Sequence, residues 1–403
     1  MGTGRRIGAR RRVIYVACAI VLGTLVGLGV LEGGLWAFTP KDRGYYVWPP
    51  NLNVEFVSKP DTMPGVSGPA RFLINSQGIR GPEMAKDRQG EYRILTIGGS
   101  TTECLYLDQE ETWPHLLGEK LRRTAEGRRV WVGNIGKSGT SSRDHILAMK
   151  HVVPRYDVDA VVFLIGVNDM HLSPTQQGGY DPRFMEREEN LASILPHAFS
   201  VYPQKPREPL YKLTRVWEVV RMARRLLRAQ RGAVQVSGGE QYIILRERRR
   251  TARILTDLPD LTSSLDEYER NIARLVELGR RMGVRLVFLT QPTIWRRGLA
   301  PEELAMLWLG GAGDFWERPG LPYYSPEALA RGMDAYNVRL LTVCHKLALE
   351  CVDLARAVPK NLNMHYDDAH FNEEGARRVA EVVAGYFRSR PPFARTSTAR
   401  RAQ

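Results

Sequence analysis

Short apolar runs alternate with amphipathic segments along the chain after residue 90. The apolar runs predict five strands: Ile94–Ile97, Val130–Val132, Ala160–Ile165, Arg285–Leu289 and Cys351–Leu354. The amphipathic segments predict five helices: Trp113–Arg123, Arg143–Val152, Leu265–Met282, Met333–Leu347 and Glu373–Phe387. Because continuously apolar strands are buried on both sides, we expect a parallel sheet with helices on both of its faces.

The helix predicted at Leu265–Met282 shows this pattern well. Apolar residues recur along one face at helical spacing, at Leu265, Tyr268, Ile272, Leu275 and Val276. Ser264 precedes this run and Glu267 lies three residues later. That spacing predicts a capping box at the start of the helix.

A different apolar pattern lies near the start of the chain. Val13–Leu31 carries no charged residue, and as a helix it would be about 28 Å long, close to the hydrocarbon thickness of a bilayer. Because no A-x-A-like cleavage site follows, we expect a retained transmembrane anchor rather than a signal peptide. A buried core helix would leave the arginines before it unexplained. Basic flanks stay in the cytoplasm, so everything after Glu32 is expected on the far side of the membrane.

These patterns divide the chain into segments. We expect a basic cytoplasmic N-terminus at 1–12, an anchor at 13–31, a linker with a short strand-like lead-in at 32–90, an α/β domain at 91–390 and a basic tail at 391–403. A helical insertion at about 171–260 carries the sequence LYKLTRVWEVVRMARRLLRAQR. This basic amphipathic helix fits a covering helix with a solvated face better than a helix on the membrane surface, the alternative.

Charge is concentrated at the two ends. The net charge is +14, and much of it comes from Arg5, Arg6, Arg10, Arg11, Arg12, Arg388, Arg390, Arg395, Arg400 and Arg401. The body of the chain is therefore only mildly basic, and no basic motif predicts nucleic-acid binding. Gly23 and Gly27 form a G-x-x-x-G that would let two anchors pair, which leaves an oligomer open.

The four cysteines do not form a metal motif. Neither C-x-x-C nor H-E-x-x-H occurs, so we expect no metal site. Cys18 lies in the anchor and Cys104 lies just after a predicted strand. Cys344 and Cys351 are permitted to form a disulfide outside the cytoplasm, but two buried thiols are the interpretation that we favour.

Small or polar residues follow every predicted strand. The strands lead into Gly98-Gly99-Ser100, GNIGKSGTSS, GVNDM and TQPTIW, and the last reaches HYDDAHFNEEG after a short loop. Because ligands bind beyond the carboxyl ends of strands in an open parallel sheet, we expect these residues to share one rim.

The residues of this rim fit acyl transfer through a serine. A serine hydroxyl needs a base, and the base needs an acid that orients it. Among the eight histidines, His370 has an acidic residue, Asp367, three positions before it. We expect the backbone N–H groups of Ser100 and Gly139 and the amide of Asn168 to stabilise the oxyanion.

For several residues near Ser100 and His370 the sequence supports less specific expectations. Gly98 and Gly99 are expected to let the chain turn sharply so that Ser100 points into the rim. Asp368 and His365 lack the spacing of the Asp367–His370 pair and are expected to surround it. Five aromatic residues are open to two interpretations, stacking on sugar rings or packing the loop onto the sheet: Trp308, Phe315, Trp316, Tyr323 and Tyr324.

These residues resemble the four sequence blocks of the SGNH (GDSL-type) hydrolases. The matches are Ser100 in GGSTTE, Gly139 in NIGKSGTSS, Asn168 in GVND, and Asp367 with His370 in DDAH. The resemblance implies a flavodoxin-like three-layer α/β/α fold with a five-stranded parallel sheet. It also implies ester hydrolysis by a Ser-His-Asp mechanism without a cofactor. Members usually carry Asp before the serine, where this chain has Gly99.

The resulting hypothesis is a membrane-anchored serine esterase. The GGSTTE block, QPTIW and the anchor are similar to bacterial membrane-tethered members. We expect this protein to remove O-acyl groups, above all O-acetyl, from cell-envelope or exported polysaccharide outside the cytoplasm. Two alternatives stay open: an O-acyltransferase that uses the same residues, and a non-catalytic envelope protein that binds glycans.

Overall fold

The computed structural model describes residues 9–38, 44–85, 88–203, 214–217, 219–220, 223 and 234–394. They fall into two compact units, one within 1–43 and 203–231 and the other within 44–202 and 232–403. The strands are β1 (Asn53–Ser58), β2 (Ala70–Leu73), β3 (Glu91–Gly98), β4 (Arg129–Asn134), β5 (Ala160–Leu164), β6 (Val234–Gly238), β7 (Ile254–Leu255), β8 (Arg285–Leu289), β9 (Tyr323–Tyr324) and β10 (Glu350–Val352). The helices are α1 (Ala9–Phe38), α2 (Ser100–Glu103), α3 (Trp113–Leu121), α4 (Ser142–His151), α5 (Val167–Gln176), α6 (Glu188–Ala198), α7 (Glu240–Thr251), α8 (Thr262–Met282), α9 (Pro301–Met306), α10 (Pro326–Leu347), α11 (Leu354–Ala357) and α12 (Glu373–Arg388).

The larger unit is built on a five-stranded parallel sheet. Its strands lie in the order β10-β8-β5-β3-β4, and Ile94 of β3 pairs with Val132 on one side and Ala160 on the other. The predicted fold class is therefore confirmed. Within this sheet β3 comes first along the chain, and it lies between the next two strands, β4 and β5, so the strand order reverses beside it. Ligand sites of flavodoxin-like sheets lie at this switch point.

Helices cover both faces of the sheet, because successive side chains of a strand point to opposite sides. Ile94 packs with Trp113 of α3 and Val379 of α12 in one core. Leu95 packs with residues of α4, α8 and α10, such as Ile272, in the other core. The three layers follow from this alternation.

The capping box predicted for α8 is wrong. The helix begins at Thr262, and the hydroxyl of Ser264 donates to the carbonyl of Leu261 at 2.9 Å. Glu267 instead pairs with the guanidinium of Arg143, at 2.6 and 2.8 Å, with both side chains buried. A carboxylate buried in the core needs such a partner. The side chain of Glu267 therefore points to Arg143 and not back to the backbone N–H groups at the start of the helix.

Part of the predicted linker is folded. Strands β1 and β2 pair antiparallel, and β6 from the insertion adds to β1 in parallel. Phe72 and Ile79 are buried, and the guanidinium of Arg80 donates to the carbonyls of Glu103, Cys104 and Leu107. This segment therefore holds the end of α2. The basic helix predicted in the insertion, at 210–231, lies mostly outside the described residues.

The N-terminal helix is long and apolar. Within α1, Arg11–Ala37 is a segment long and apolar enough to cross a membrane. A membrane anchor and a signal sequence both meet this description.

Cys344 and Cys351 form a disulfide. The interpretation as two buried thiols is therefore wrong. The short turn from the end of α10 to β10 brings the two Cα atoms to 6.2 Å, which is within the range of disulfides. Cys104 is a buried free thiol and Cys18 an exposed one.

Candidate active site

Ser100 is the first residue of α2, directly after the bend that ends β3. A Cβ atom on Gly98 would lie 2.6 Å from the carbonyl oxygen of Leu164, and one on Gly99 would overlap Nδ2 of Asn168. The φ angle of Gly99 is −81°, which any residue adopts. The two glycines therefore provide space for neighbouring groups, and the turn predicted at this place does not require a φ angle at Gly99 that is restricted to glycine.

The side chains of Ser100, His370 and Asp367 lie in a row. The hydroxyl of Ser100 is 2.7 Å from Nε2 of His370, and Nδ1 of His370 is 2.8 Å from Oδ2 of Asp367. Asp367 is completely buried and His370 nearly so. The Asp-x-x-His turn is closed by the backbone N–H of His370, which donates to Oδ1 of Asp367 at 2.9 Å.

Burial and charge act in opposite directions on this pair. Burial alone lowers the pKa of His370, but the charge of Asp367 and its hydrogen bond outweigh burial, and the pKa of His370 is raised above its ordinary value. Burial alone raises the pKa of Asp367, but the charge and hydrogen bonds of His370 and a hydrogen bond from Trp308 outweigh it, and this pKa is lowered. Asp367 is thus held as a carboxylate beside an imidazole of increased basicity.

The loop after β4 carries Gly139 to the same rim. Gly139 has a φ of +78°, a conformation that glycine adopts without strain. The N–H of Lys137 donates to the carbonyl of Gly98 at 3.1 Å, and the hydroxyl of Thr140 donates to the same carbonyl at 3.0 Å. These bonds fix the loop against the bend that carries Ser100.

Asn168 reaches this loop from the start of α5. Its Nδ2 donates to the carbonyl of Thr140 at 2.8 Å, which leaves a second N–H of the amide. Among the described residues, the backbone N–H groups of Ser100 and Gly139 form no hydrogen bond with a backbone carbonyl in the turns and loops. The amide of Asn168 and the loop that contains Gly139 therefore lie against the bend, and their role as oxyanion donors stays a prediction.

The residues beside the Asp367–His370 pair have other partners. Asp368 accepts from Nε1 of Trp295 at 2.7 Å and from the backbone N–H of Trp308 at 2.7 Å. Burial raises the pKa of Asp368. His365 is buried, and burial lowers its pKa to about 4. Neither side chain takes the place of Asp367 or His370.

Two contacts near the site had not been predicted. Glu103 lies one helical turn after Ser100, is buried, and accepts a hydrogen bond from the hydroxyl of Ser138. Burial raises the pKa of Glu103. The indole Nε1 of Trp308 donates to Oδ2 of Asp367 at 2.8 Å. The helical spacing of Ser100 and Glu103 was a signal that Glu103 lies near the site. Nothing in the sequence pointed to the hydrogen bond between Trp308 and Asp367.

The aromatic stretch after β8 is mostly buried. Trp308, Phe315, Tyr323 and Tyr324 pack within the protein, whereas Trp316 is 41% exposed. For the four buried residues, packing of the loop is the interpretation that holds. Among the residues that the structure describes, no group of three or more His, Cys, Asp or Glu side chains is arranged to hold a metal ion.

A parallel sheet that carries a serine, a histidine and an aspartate at its carboxyl edge is typical of ester hydrolases. Residues 96–378 match the sequence profile of the GDSL-like lipase/acylhydrolase family. The chain belongs to this family and is a carboxylic ester hydrolase.

Solved structures that are similar to this chain include the following three. An acetylxylan esterase from Geobacillus stearothermophilus, Axe2, is 15% identical, with 73% of this chain and 93% of that chain covered and a TM-score of 0.39. LAE5, an α/β hydrolase from the metagenome of Lake Arreo, is 16% identical, with 73% and 94% covered and a TM-score of 0.39. A protein of the G-D-S-L family from Desulfitobacterium hafniense is 10% identical, with 73% and 99% covered and a TM-score of 0.36. No curated protein matches the chain in sequence.

Proposed function

We propose that the protein is a membrane-anchored serine esterase that removes O-acyl groups, above all O-acetyl, from a carbohydrate outside the cytoplasm. The observation that carries this proposal is the 2.7 Å separation of the Ser100 hydroxyl and Nε2 of His370. A proton passes between such atoms without any rearrangement. The buried carboxylate of Asp367 then stabilises the imidazolium that forms.

The reaction takes two steps. Oγ of Ser100 attacks the ester carbonyl carbon while Nε2 of His370 takes the hydroxyl proton. The oxyanion lies against the N–H groups of Ser100, Gly139 and Asn168, and its collapse breaks the bond to the alcohol, which receives the proton from His370. Water then attacks the acyl-serine in the same way, so that the acid is released and Ser100 is restored.

Two features favour a site outside the cytoplasm. The helix α1 is long and apolar enough for an anchor, and the arginines before it favour a cytoplasmic N-terminus. The Cys344–Cys351 disulfide is a bond that persists in oxidising compartments. Together they favour a catalytic unit in the periplasm or on the outer face of the membrane.

The loop beside Ser100 favours a polar alcohol over a lipid. Ser138 and Gly139 are exposed, and Lys137 is partly exposed. The ammonium of Lys137 donates to the carbonyl of His197 and keeps two further N–H groups. The hydroxyl of Ser138 donates to Glu103 and keeps its acceptor lone pairs, so both side chains can still hydrogen-bond to sugar hydroxyls. An acetylated polysaccharide therefore fits this rim.

Release of acetate from acetylated polysaccharides tests the proposal. We expect the purified protein to release acetate and Ser100→Ala to lose this activity by a factor on the order of 10⁴ or more. Ser389→Ala, an exposed serine at the end of α12, is the matched control and retains full activity. An unchanged rate in Ser100→Ala would exclude the serine mechanism.

The same experiment separates the two alternatives. In an O-acyltransferase, an added glycan acceptor gains the acetyl group and free acetate stays low, because an alcohol replaces water at the acyl-serine. In a glycan-binding protein, polysaccharide binds equally well to the wild type and to Ser100→Ala, and neither releases acetate.

A further inference from the structure

We infer that Trp308 is a positioning residue of this site, which acts on His370 through Asp367, and that Asp368 holds Trp308 in place. The inference rests on the proposed function. It gives the two consecutive aspartates of the DDAH block different roles: Asp367 contacts His370, and Asp368 holds the loop after β8 that carries Trp308.

The first part of the argument is the set of bonds around Asp367. Oδ2 receives Nε1 of Trp308 at 2.8 Å and Nδ1 of His370 at 2.8 Å. Oδ1 receives the backbone N–H groups of Ala369 and His370, at 3.0 and 2.9 Å. Nδ1 of His370 also lies 2.9 Å from Oδ1. Since residues of the turn itself supply these contacts to Oδ1, Trp308 is the residue from outside the turn that fixes the carboxylate at Oδ2.

The second part is the stacking of rings on His370. The ring of Trp308 is nearly parallel to the imidazole, at 7° with centroids 6.0 Å apart. The ring of Tyr366 is also nearly parallel to it, at 9° and 5.4 Å. Parallel neighbours of this kind restrict the tilt of the imidazole. Trp308 therefore contacts both members of the pair, the carboxylate by its N–H and the imidazole by its ring.

The third part is the placement of Trp308 itself. Oδ2 of Asp368 accepts the backbone N–H of Trp308 at 2.7 Å and that of Leu309 at 3.0 Å. Oδ1 of Asp368 accepts Nε1 of Trp295, at 2.7 Å, from the beginning of the same loop. Asp368 is completely buried. It therefore ties both ends of the 295–309 segment to the turn that carries His370.

The fixed carboxylate of Asp367 affects His370, the base of the proposed reaction. With Oδ2 fixed, Nδ1 of His370 keeps its proton toward Asp367, and Nε2 faces Ser100 without a proton. The indole N–H also takes part of the negative charge of Asp367. Without it, the carboxylate favours the imidazolium more strongly, and His370 releases its proton only at a higher pH.

The test compares Trp308→Phe with Trp316→Phe. The first keeps an aromatic ring over His370 but removes the N–H. The second changes an exposed ring of the same loop whose centroid lies 4.9 Å from that of Trp308. Hydrolysis of 4-nitrophenyl acetate is measured between pH 5 and 9, per active site as titrated with a fluorophosphonate, so that misfolded protein is not counted.

We expect kcat of Trp308→Phe to fall about 10- to 100-fold, which is typical for loss of a hydrogen bond to a charged group. KM should change less than about two-fold, and the acidic limb of the pH profile should move to higher pH. Trp316→Phe should match the wild type. Unchanged kcat and pH profile in Trp308→Phe would overturn the inference.

A second measurement does not depend on activity. NMR titration gives the pKa of His370 in the wild type and in Trp308→Phe, and we expect the higher value in the variant. Should Trp308→Phe fail to fold, Trp308→Met takes its place, since methionine fills the buried space flexibly and has no side-chain donor for Asp367. A wild type without esterase activity would contradict the proposed function alone, whereas equal pKa values of His370 would contradict the role of Trp308.

Discussion

The side-chain amide of Asn168 lies against Gly99 and occupies the space that a side chain at position 99 would need. A Cβ atom on Gly99 would overlap Nδ2 of Asn168 and would lie 3.4 Å from the carbonyl oxygen of Thr140, the group to which Nδ2 donates. Related hydrolases usually carry Asp at the position of Gly99. In this chain Gly99 leaves space for the amide of Asn168. The replacement of the usual Asp by Gly is therefore linked to the position of Asn168.

Gly99→Ala should therefore impair catalysis without unfolding the protein. The added methyl group displaces the amide of Asn168 from the rim, and loss of one oxyanion donor lowers kcat by a factor on the order of 10². Steady-state kinetics and thermal unfolding of the same sample measure both effects. Gly385→Ala, where a Cβ meets nothing within 4 Å, is the control. Wild-type kcat in Gly99→Ala would mean that Asn168 is not an oxyanion donor.

The rate of hydrolysis should depend on pH through His370. The imidazole accepts the proton of Ser100 only when it is neutral, and the charge of Asp367 raises its pKa above the ordinary 6.5. As the pH falls through this raised pKa, kcat/KM should fall in proportion to the neutral fraction.

Asp367→Asn should shift this dependence in the opposite direction. Without the negative charge the imidazolium is less favoured, so the acidic limb moves to lower pH, while the rate falls by about 10⁴ because the tautomer is no longer fixed. A pH profile whose acidic limb stays in place after this substitution would mean that the limb belongs to another group.

Glu103 should hold the loop that carries Gly139. Its buried carboxylate accepts the hydroxyl of Ser138, so Glu103→Ala releases the loop and leaves a cavity, and we expect kcat to fall about ten-fold or more. Glu103→Gln keeps an acceptor oxygen of the same size and should retain kcat within about three-fold. Equal losses in the two variants would point to the charge of Glu103 rather than to the hydrogen bond.

The disulfide should contribute to stability and not to catalysis. Cys344 and Cys351 are seven positions apart, and closing so short a loop in the unfolded chain stabilises the folded state by about 2.5 kcal/mol. Denaturant unfolding of the double variant Cys344→Ala/Cys351→Ala should show this loss, with kcat unchanged. Alkylation of all four cysteines in the unreduced, unfolded protein would contradict the pairing.

The sequence predicted the central sheet well for a physical reason. Strands such as β5 (Ala160–Leu164) are buried on both faces, so they form uninterrupted apolar runs that the hydrophobic pattern of the sequence reveals. Their carboxyl ends lie at one edge of a parallel sheet, which is why Ser100 and His370 could be expected to be neighbours although they lie 270 positions apart.

Contacts between distant, individually ordinary residues were not predictable. Strand β1 lies in a polar stretch and gains its parallel partner, β6, from about 180 positions later in the chain. Glu267 fits a capping box by spacing, but its charge is neutralised by Arg143 on another helix. The indole of Trp308 and the carboxylate of Asp367 meet in the same way. Local pattern carries no information on such pairs.

Labelling with a fluorophosphonate tests the central claim most directly. This reagent forms a covalent bond with a serine whose hydroxyl is activated by a neighbouring base. We predict one adduct per molecule of folded protein, located on the peptide that contains Ser100, and none in Ser100→Ala. Folded wild-type protein that stays unlabelled, or that carries the adduct on another residue, would contradict the assignment of Ser100 as the nucleophile.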